Sequence, residues 1–290
     1  MAELLKGKPV ADAIGEDLAP RIATCTSAGV PPALAVVRVG AREADLSYER
    51  GATKRCETLG IDLKKFVLDE SCTQDELMGT IARVNEDDAI HGCLLFRPLP
   101  AHLDEEAACA ALDPAKDVDG ITAGSLAGVF ANQRVGFPPC TADACLHILA
   151  HYGIPLDGAN AVVVGRSLVI GKPVSMMLQA ANATVTMCHT HTRDLPAVCA
   201  AADILVVAVG RARAIGADAV NAAQVVLDVG ISWDEQAGAL CGDVDFDAVE
   251  PHVAAITPVP GGVGSVTTAV LALHVVQAAE RVLEHTPRTD

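Results

Sequence analysis

The stretch AVVVGRSLVIGKP, Ala161 to Pro173, carries a strand, a tight turn and a helix start in a single run. Val162, Val163 and Val164 are β-branched and end at Gly165, and Gly171 opens a segment with helical periodicity. A strand–turn–helix unit gathers unpaired backbone N–H groups and the positive end of a helix dipole at one point, an arrangement that suits a phosphate. Against the G-x-G-x-x-G pattern, Ser167 takes the place of the second glycine and the third comes one residue late. Downstream the alternation continues, with strands expected at 161–165, 183–187, 203–209 and 225–229 and helices at 171–181 and 194–202. That is a mononucleotide-binding order with the glycine turn at its first crossover.

A unit of this kind that binds NAD usually presents an acid at the end of its second strand, to hold the ribose diol. The corresponding residues here read CHTHTR and include Thr190, His191, Thr192 and Arg193, with Arg166 back in the first turn. Hydroxyls and cations favour a 2′-phosphate, so NADP is expected over NAD. For any one of these residues an ordinary polar strand end is almost as good an explanation.

The first half alternates in the same way. Val10 to Ala28 reads as a helix with Pro20 a kink or break, Ala33 to Val39 as a buried strand, and Ser47 to Leu59 as a helix stopped by Gly60. Leu63 to Leu68 is a second strand, Thr73 and Glu76 have capping-box spacing, and Gly92 to Arg97 is a third strand halted by Pro98 and Pro100. Such alternation gives parallel sheets with helices on both faces. In DPAKDVDGITAGSLAG, Asp117 and Asp119 bracket Val118 ahead of Gly120. Pattern alone favours a solvated turn; the functional alternative is a carboxylate at the C-terminal edge of the sheet. The chain closes on ITPVPGGVG and an Ala/Val-rich helix from Ser265 to Leu283.

Composition bounds the function. A formal charge of −16 over 290 residues disfavours a nucleic-acid surface, which is built on neutralising phosphates. The ten cysteines include no C-x-x-C, the N-terminus lacks the apolar core of a signal peptide, and no uninterrupted apolar run suggests a membrane span. Reduced thiols in the cytoplasm are the expectation. Cys188, His189 and His191 form the densest candidate metal cluster, but in a strand Cys188 would point away from the histidines, and no metal is expected.

Several blocks together carry a resemblance: KDVDG (Lys116 to Gly120), PPCT (Pro138 to Thr141), VVGRSLVIGKP (Val163 to Pro173), ATVTMCHTHTRDL (Ala183 to Leu195), GDVDF (Gly242 to Phe246) and TPVPGGVG (Thr257 to Gly264). In order and spacing the chain resembles the bifunctional methylenetetrahydrofolate dehydrogenase/cyclohydrolase family over nearly its whole length. The resemblance implies two α/β domains around a cleft, a cytosolic homodimer, NADP and a tetrahydrofolate substrate. Residues 1–140 plus 266–290 would form the folate domain and 141–265 a Rossmann-like NADP domain. On matching positions Tyr48 would lie against the pterin and the reacting atoms, and Asp119 would accept hydrogen bonds from pterin N–H groups. Gly165, Arg166, Ser167, Gly171, Pro173, Thr190 and Ile231 would hold the dinucleotide, and Pro260, Gly261 and Gly262 would line the place where folate and nicotinamide meet.

Two departures stand out. The family carries Y-x-x-x-K on one helical face, whereas four residues after Tyr48 comes Ala52. Lys54, at i+6, lies about 600° around the helix and off the tyrosine's face. The family's V-Q-x-P-L-P reads LFRPLP here, with Phe96 where a glutamine orients the lysine. Hydride transfer has no obligatory protein base, while hydrolysis of a methenyl group needs activated water. The expectation is a dehydrogenase with cyclohydrolase activity weak or lost. The alternatives are a fully bifunctional enzyme, in which Arg97 or Lys54 restores hydrolysis, and a non-catalytic folate- or nucleotide-binding protein.

Overall fold

The structure, a computed structural model, describes residues 1–235 and 238–285; the remainder of the expected 266–290 segment lies outside them. In chain order the strands are β1 (Glu3–Leu4), β2 (Ala33–Val39), β3 (Asp62–Leu68), β4 (Gly92–Leu95), β5 (Asn160–Val164), β6 (Thr184–Cys188), β7 (Ile204–Val207), β8 (Val225–Asp228), β9 (Ser232–Asp234), β10 (Ala239–Cys241) and β11 (Ala255–Ile256). They divide between two compact units, residues 13–140 with 268–290 and residues 1–12 with 141–267.

The first unit is built on a parallel sheet ordered β3-β2-β4. β2 is buried along its whole length because it is central and covered on both faces. Ala35, Val37 and Leu95 pack with Leu77 and Ile81 of the helix Gln74–Glu86. That helix starts on the capping box read from sequence, Thr73 with Glu76.

The second unit has a six-stranded parallel sheet ordered β1-β11-β8-β7-β5-β6. Strand order reverses between β7 and β5, the point at which open α/β sheets bind ligands beyond their C-terminal ends. β9 and β10 form a separate antiparallel ribbon.

The first twelve residues differ from the expected division. They group with the second unit because β1 adds to the edge of its sheet through β11. Pro20 does not break its helix, which runs Gly7–Ser27; Leu18, Ile22 and Cys25 are buried on either side of it, so packing holds both halves. β6 stops at Cys188, so His189 and His191 lie on a turn, where the His191 N–H donates to Nδ1 of His189. The helix Gly264–His285 is long and apolar enough to cross a membrane, but 67% of its apolar window is buried inside the protein, as in a core helix.

Candidate functional site

In the first unit, the helix Glu43–Leu59 carries Tyr48. Its buried face is Asp45, Glu49, Ala52 and Cys56, and Gly60 ends it in the left-handed conformation with φ 76°. Ala52 is 1% exposed and Lys54 lies on the exposed side, so the position one turn after Tyr48 holds no cation. Phe96, the first residue beyond β4, donates its N–H to the Val37 carbonyl and meets Tyr48 edge to face, with centroids 5.9 Å apart. Burial, and behind it the charge of Asp119, holds the Tyr48 phenol well above its ordinary value, so it stays a neutral donor.

Each residue of KDVDG has a separate task. Lys116 Nζ donates to the carbonyls of Val84, Asn85 and Asp87, each at 2.8 Å, closing the end of the helix Gln74–Glu86. Asp117, fully buried, accepts from the Ile121 and Thr122 N–H groups and from the Ser125 hydroxyl. Val118 fills the space above Gly92, where a Cβ would come within 2.7 Å of it. Gly120 turns with φ 67° hard against Pro138 and Pro139. That leaves Asp119, whose carboxyl burial pushes up to about 6; a hydrogen bond from Cys140 opposes this and the charge of Asp117 adds to it.

Two residues beneath this loop carry no sequence-level expectation. His274 is buried and lies 2.8 Å through Nδ1 from the Val118 carbonyl; a carbonyl only accepts, so Nδ1 carries the proton. The Cys140 thiol is 3.1 Å from the same oxygen. A lone histidine in the apolar run AVLALHVVQAA was the available signal, since a buried polar group needs a partner.

In the second unit, a cavity of about 590 Å³ opens at the switch point, lined by Gly165, Arg166, Ser167, Thr190 and, from the turn after β7, Val209 and Arg211. Gly165 has φ 136°, and a Cβ there would overlap the Ala208 carbonyl; only glycine lets the chain turn this closely. Ser167 Oγ accepts from the Ile170 and Gly171 N–H groups and organises the turn. Arg166 and Thr190 are exposed to the cavity. Gly171 and Pro173 do not line it: both are buried in the helix Gly171–Ala180, and a Cβ on Gly171 would overlap the Gly165 backbone, so they shape the turn from behind.

A smaller cavity of about 150 Å³ is lined by Asp228 to Ile231 and by Pro258 to Ser265, which brings Ile231, Pro260, Gly261 and Gly262 together. The loop is anchored from the N-terminus, where the Gly7 N–H donates to the Gly261 carbonyl at 2.8 Å and Gly7 packs on the Gly262 carbonyl too closely for any Cβ. A glycine cradle, a helix start and two arginines beside hydroxyls fit a dinucleotide and its phosphates.

A parallel sheet whose switch point carries this cradle defines an α/β dinucleotide-binding protein, joined in one chain to a second α/β unit in which the charge of Asp119 acts on the buried phenol of Tyr48. The chain belongs to the tetrahydrofolate dehydrogenase/cyclohydrolase family, whose catalytic-domain model matches residues 5–119 and whose NAD(P)-binding-domain model matches residues 139–283. It is 53% identical over 281 residues to the bifunctional protein FolD of Carboxydothermus hydrogenoformans, covering 97% of this chain and 98% of that one. Its structure is similar to the bifunctional FolD of Campylobacter jejuni, with TM-score 0.94, 37% identity, and 97% and 100% of the two chains covered. It is also similar to the Trypanosoma brucei FolD complexed with NADP cofactor and inhibitor, with TM-score 0.90, 32% identity, and 97% and 98% covered.

Proposed function

We propose that this chain is an NADP-dependent methylenetetrahydrofolate dehydrogenase in which cyclohydrolase activity is weak or lost. The observation that carries the second half is the side chains at two positions: one turn after Tyr48 the buried Ala52 offers only a methyl group, and the Phe96 ring packs on Tyr48 where the family resemblance calls for an amide. Bound NADP supplies the hydride acceptor. The chain's own work is to hold the reactants and keep water ordered or excluded.

In this reading Asp119, ionised above pH of about 6, accepts from pterin N–H groups, and the neutral Tyr48 donates near the reacting carbon. Arg166, Ser167 and Thr190 take the adenosine end of NADP, and Ile231 with Pro260 to Gly262 takes the nicotinamide end. The dehydrogenation needs no protein base, so losing a lysine leaves it intact. Hydrolysis loses its proton carrier, a change that general acid–base catalysis values at about 10²–10⁴ in rate. The reading extends to a cytoplasmic homodimer, which rests on the family alone.

The second reading is a fully bifunctional enzyme, favoured by relatives at 53% and 50% identity that are named bifunctional protein FolD. It requires Arg97, half-buried and paired with Glu105 at 3.7 Å, or Lys54 to replace the lysine. Following NADPH formation with methylenetetrahydrofolate, with NAD in parallel, tests the dehydrogenase and its cofactor. Absence of NADPH formation would overturn the reading.

A further inference from the structure

GDVDF is a block of the second unit that lines neither cavity, and its first aspartate is the most enclosed carboxylate of that unit. Asp243 is fully buried. One oxygen, Oδ2, accepts from the Val209 N–H at 2.6 Å and the Gly210 N–H at 2.8 Å, the turn that walls the larger cavity. The other oxygen, Oδ1, is buried with no hydrogen-bond partner. The carboxylate lies flat on Gly230, where any Cβ would overlap it, and Gly230 walls the smaller cavity.

A second carboxylate mirrors the first. Asp228, at the end of β8, accepts from the Asp243 and Val244 N–H groups, each at 3.0 Å, and lies so close to Gly242 that a Cβ there would overlap it. Its own N–H donates to the Thr257 hydroxyl at 2.8 Å, at the root of the proline–glycine loop. Burial pushes Asp228 up to about 7, and the charge of Asp243 adds to the shift. A buried, half-satisfied carboxylate beside another is costly, so the arrangement needs a compensating use.

We propose that Asp243 is a positioning residue for the dinucleotide: by holding the Val209–Gly210 turn while packed on Gly230, it fixes the two cavities of this unit at the separation the two ends of NADP require. This inference rests on the NADP reading above. Asp243 touches no reacting atom; it works as an acceptor, through backbone.

The test is isothermal titration of NADP into the purified wild type and two variants, with circular dichroism as the folding check. Asp243→Ala removes the acceptor and should weaken NADP binding at least tenfold, roughly the low end of the worth of one charge-assisted hydrogen bond. Asp243→Asn keeps an oxygen toward Val209 and Gly210 and should bind within about threefold of wild type. In steady state the KM for NADP should rise in Asp243→Ala while the KM for the folate stays put, a split that general loosening of the fold would not give. Should Asp243→Ala fail to fold, Gly230→Ala, which displaces the carboxylate without removing it, carries the same tenfold expectation. Unchanged NADP affinity in the folded alanine variants, or an asparagine variant as weak as alanine, overturns the proposal. A wild type that binds no NADP overturns the cofactor reading itself, and this inference with it.

Discussion

The rings of Tyr48 and Phe96 stand edge to face, with planes at 80° and centroids 5.9 Å apart. Such a pair contributes about 0.5–1.5 kcal/mol beyond area burial. It also holds the tyrosine ring from one side, and in the proposed function that contact stands where a proton-handling pair would otherwise sit.

Restoring that pair should restore the chemistry. The double variant Ala52→Lys, Phe96→Gln is expected to gain cyclohydrolase activity by roughly tenfold or more, at the low end of general acid–base effects, with dehydrogenase changed far less. The decay of methenyltetrahydrofolate absorbance measures it directly. No gain would place hydrolysis, or its absence, elsewhere.

Asp119 gives a pH signature. Its carboxyl, pushed up to about 6 by burial, is protonated below that pH and ionised above it. In the proposed function pterin N–H groups need the ionised acceptor, so the KM for methylenetetrahydrofolate should rise as pH falls through about 6 and level off above it. Steady-state kinetics from pH 5 to 8 at saturating NADP check this, and Asp119→Asn should flatten the profile while raising KM throughout.

The proposed contact of Arg166 with the 2′-phosphate predicts a difference between the cofactors. Arg166→Ala should raise the KM for NADP by about tenfold or more, the worth of a charge-assisted hydrogen bond to phosphate, and leave weak NAD use nearly unchanged. Parallel titrations with both cofactors read the difference.

Glu49 secures the helix that presents Tyr48. It pairs with Arg38 and Lys65, each at 2.8 Å, and its side chain and that of Arg38 are about nine-tenths buried. Burial raises the carboxyl, but the hydrogen bonds of Lys65 and Arg38 outweigh it and hold it below its ordinary value. A lowered carboxyl contributes stability above its unfolded pKa and loses it as pH falls through the folded one, so this contribution disappears only in acid. Glu49→Ala strands a buried arginine and should cost about 3 kcal/mol, read from urea denaturation at neutral pH.

Much of this was legible in the sequence because it is local. Val162–Gly165 had to be a strand meeting a turn, Thr73 and Glu76 had to cap a helix, and Tyr48 and Ala52 had to share a helical face. What escaped was long-range. Nothing near Glu3 says that it pairs with Ala255 across the chain, which is why the first twelve residues change unit. Pro20 reads as a breaker by propensity, yet packing on both sides carries the helix through it. His274 and Asp243 lie in apolar or family-like runs whose partners, the Val118 carbonyl and the Val209 N–H, are set only by the fold.

The most direct test of the account is the ratio of two rates on the purified wild-type chain: hydrolysis of methenyltetrahydrofolate against formation of NADPH from methylenetetrahydrofolate. NADPH should form readily while methenyltetrahydrofolate accumulates, with enzymatic hydrolysis about two orders of magnitude slower or undetectable above the uncatalysed rate. Hydrolysis at a rate comparable with NADPH formation would contradict it.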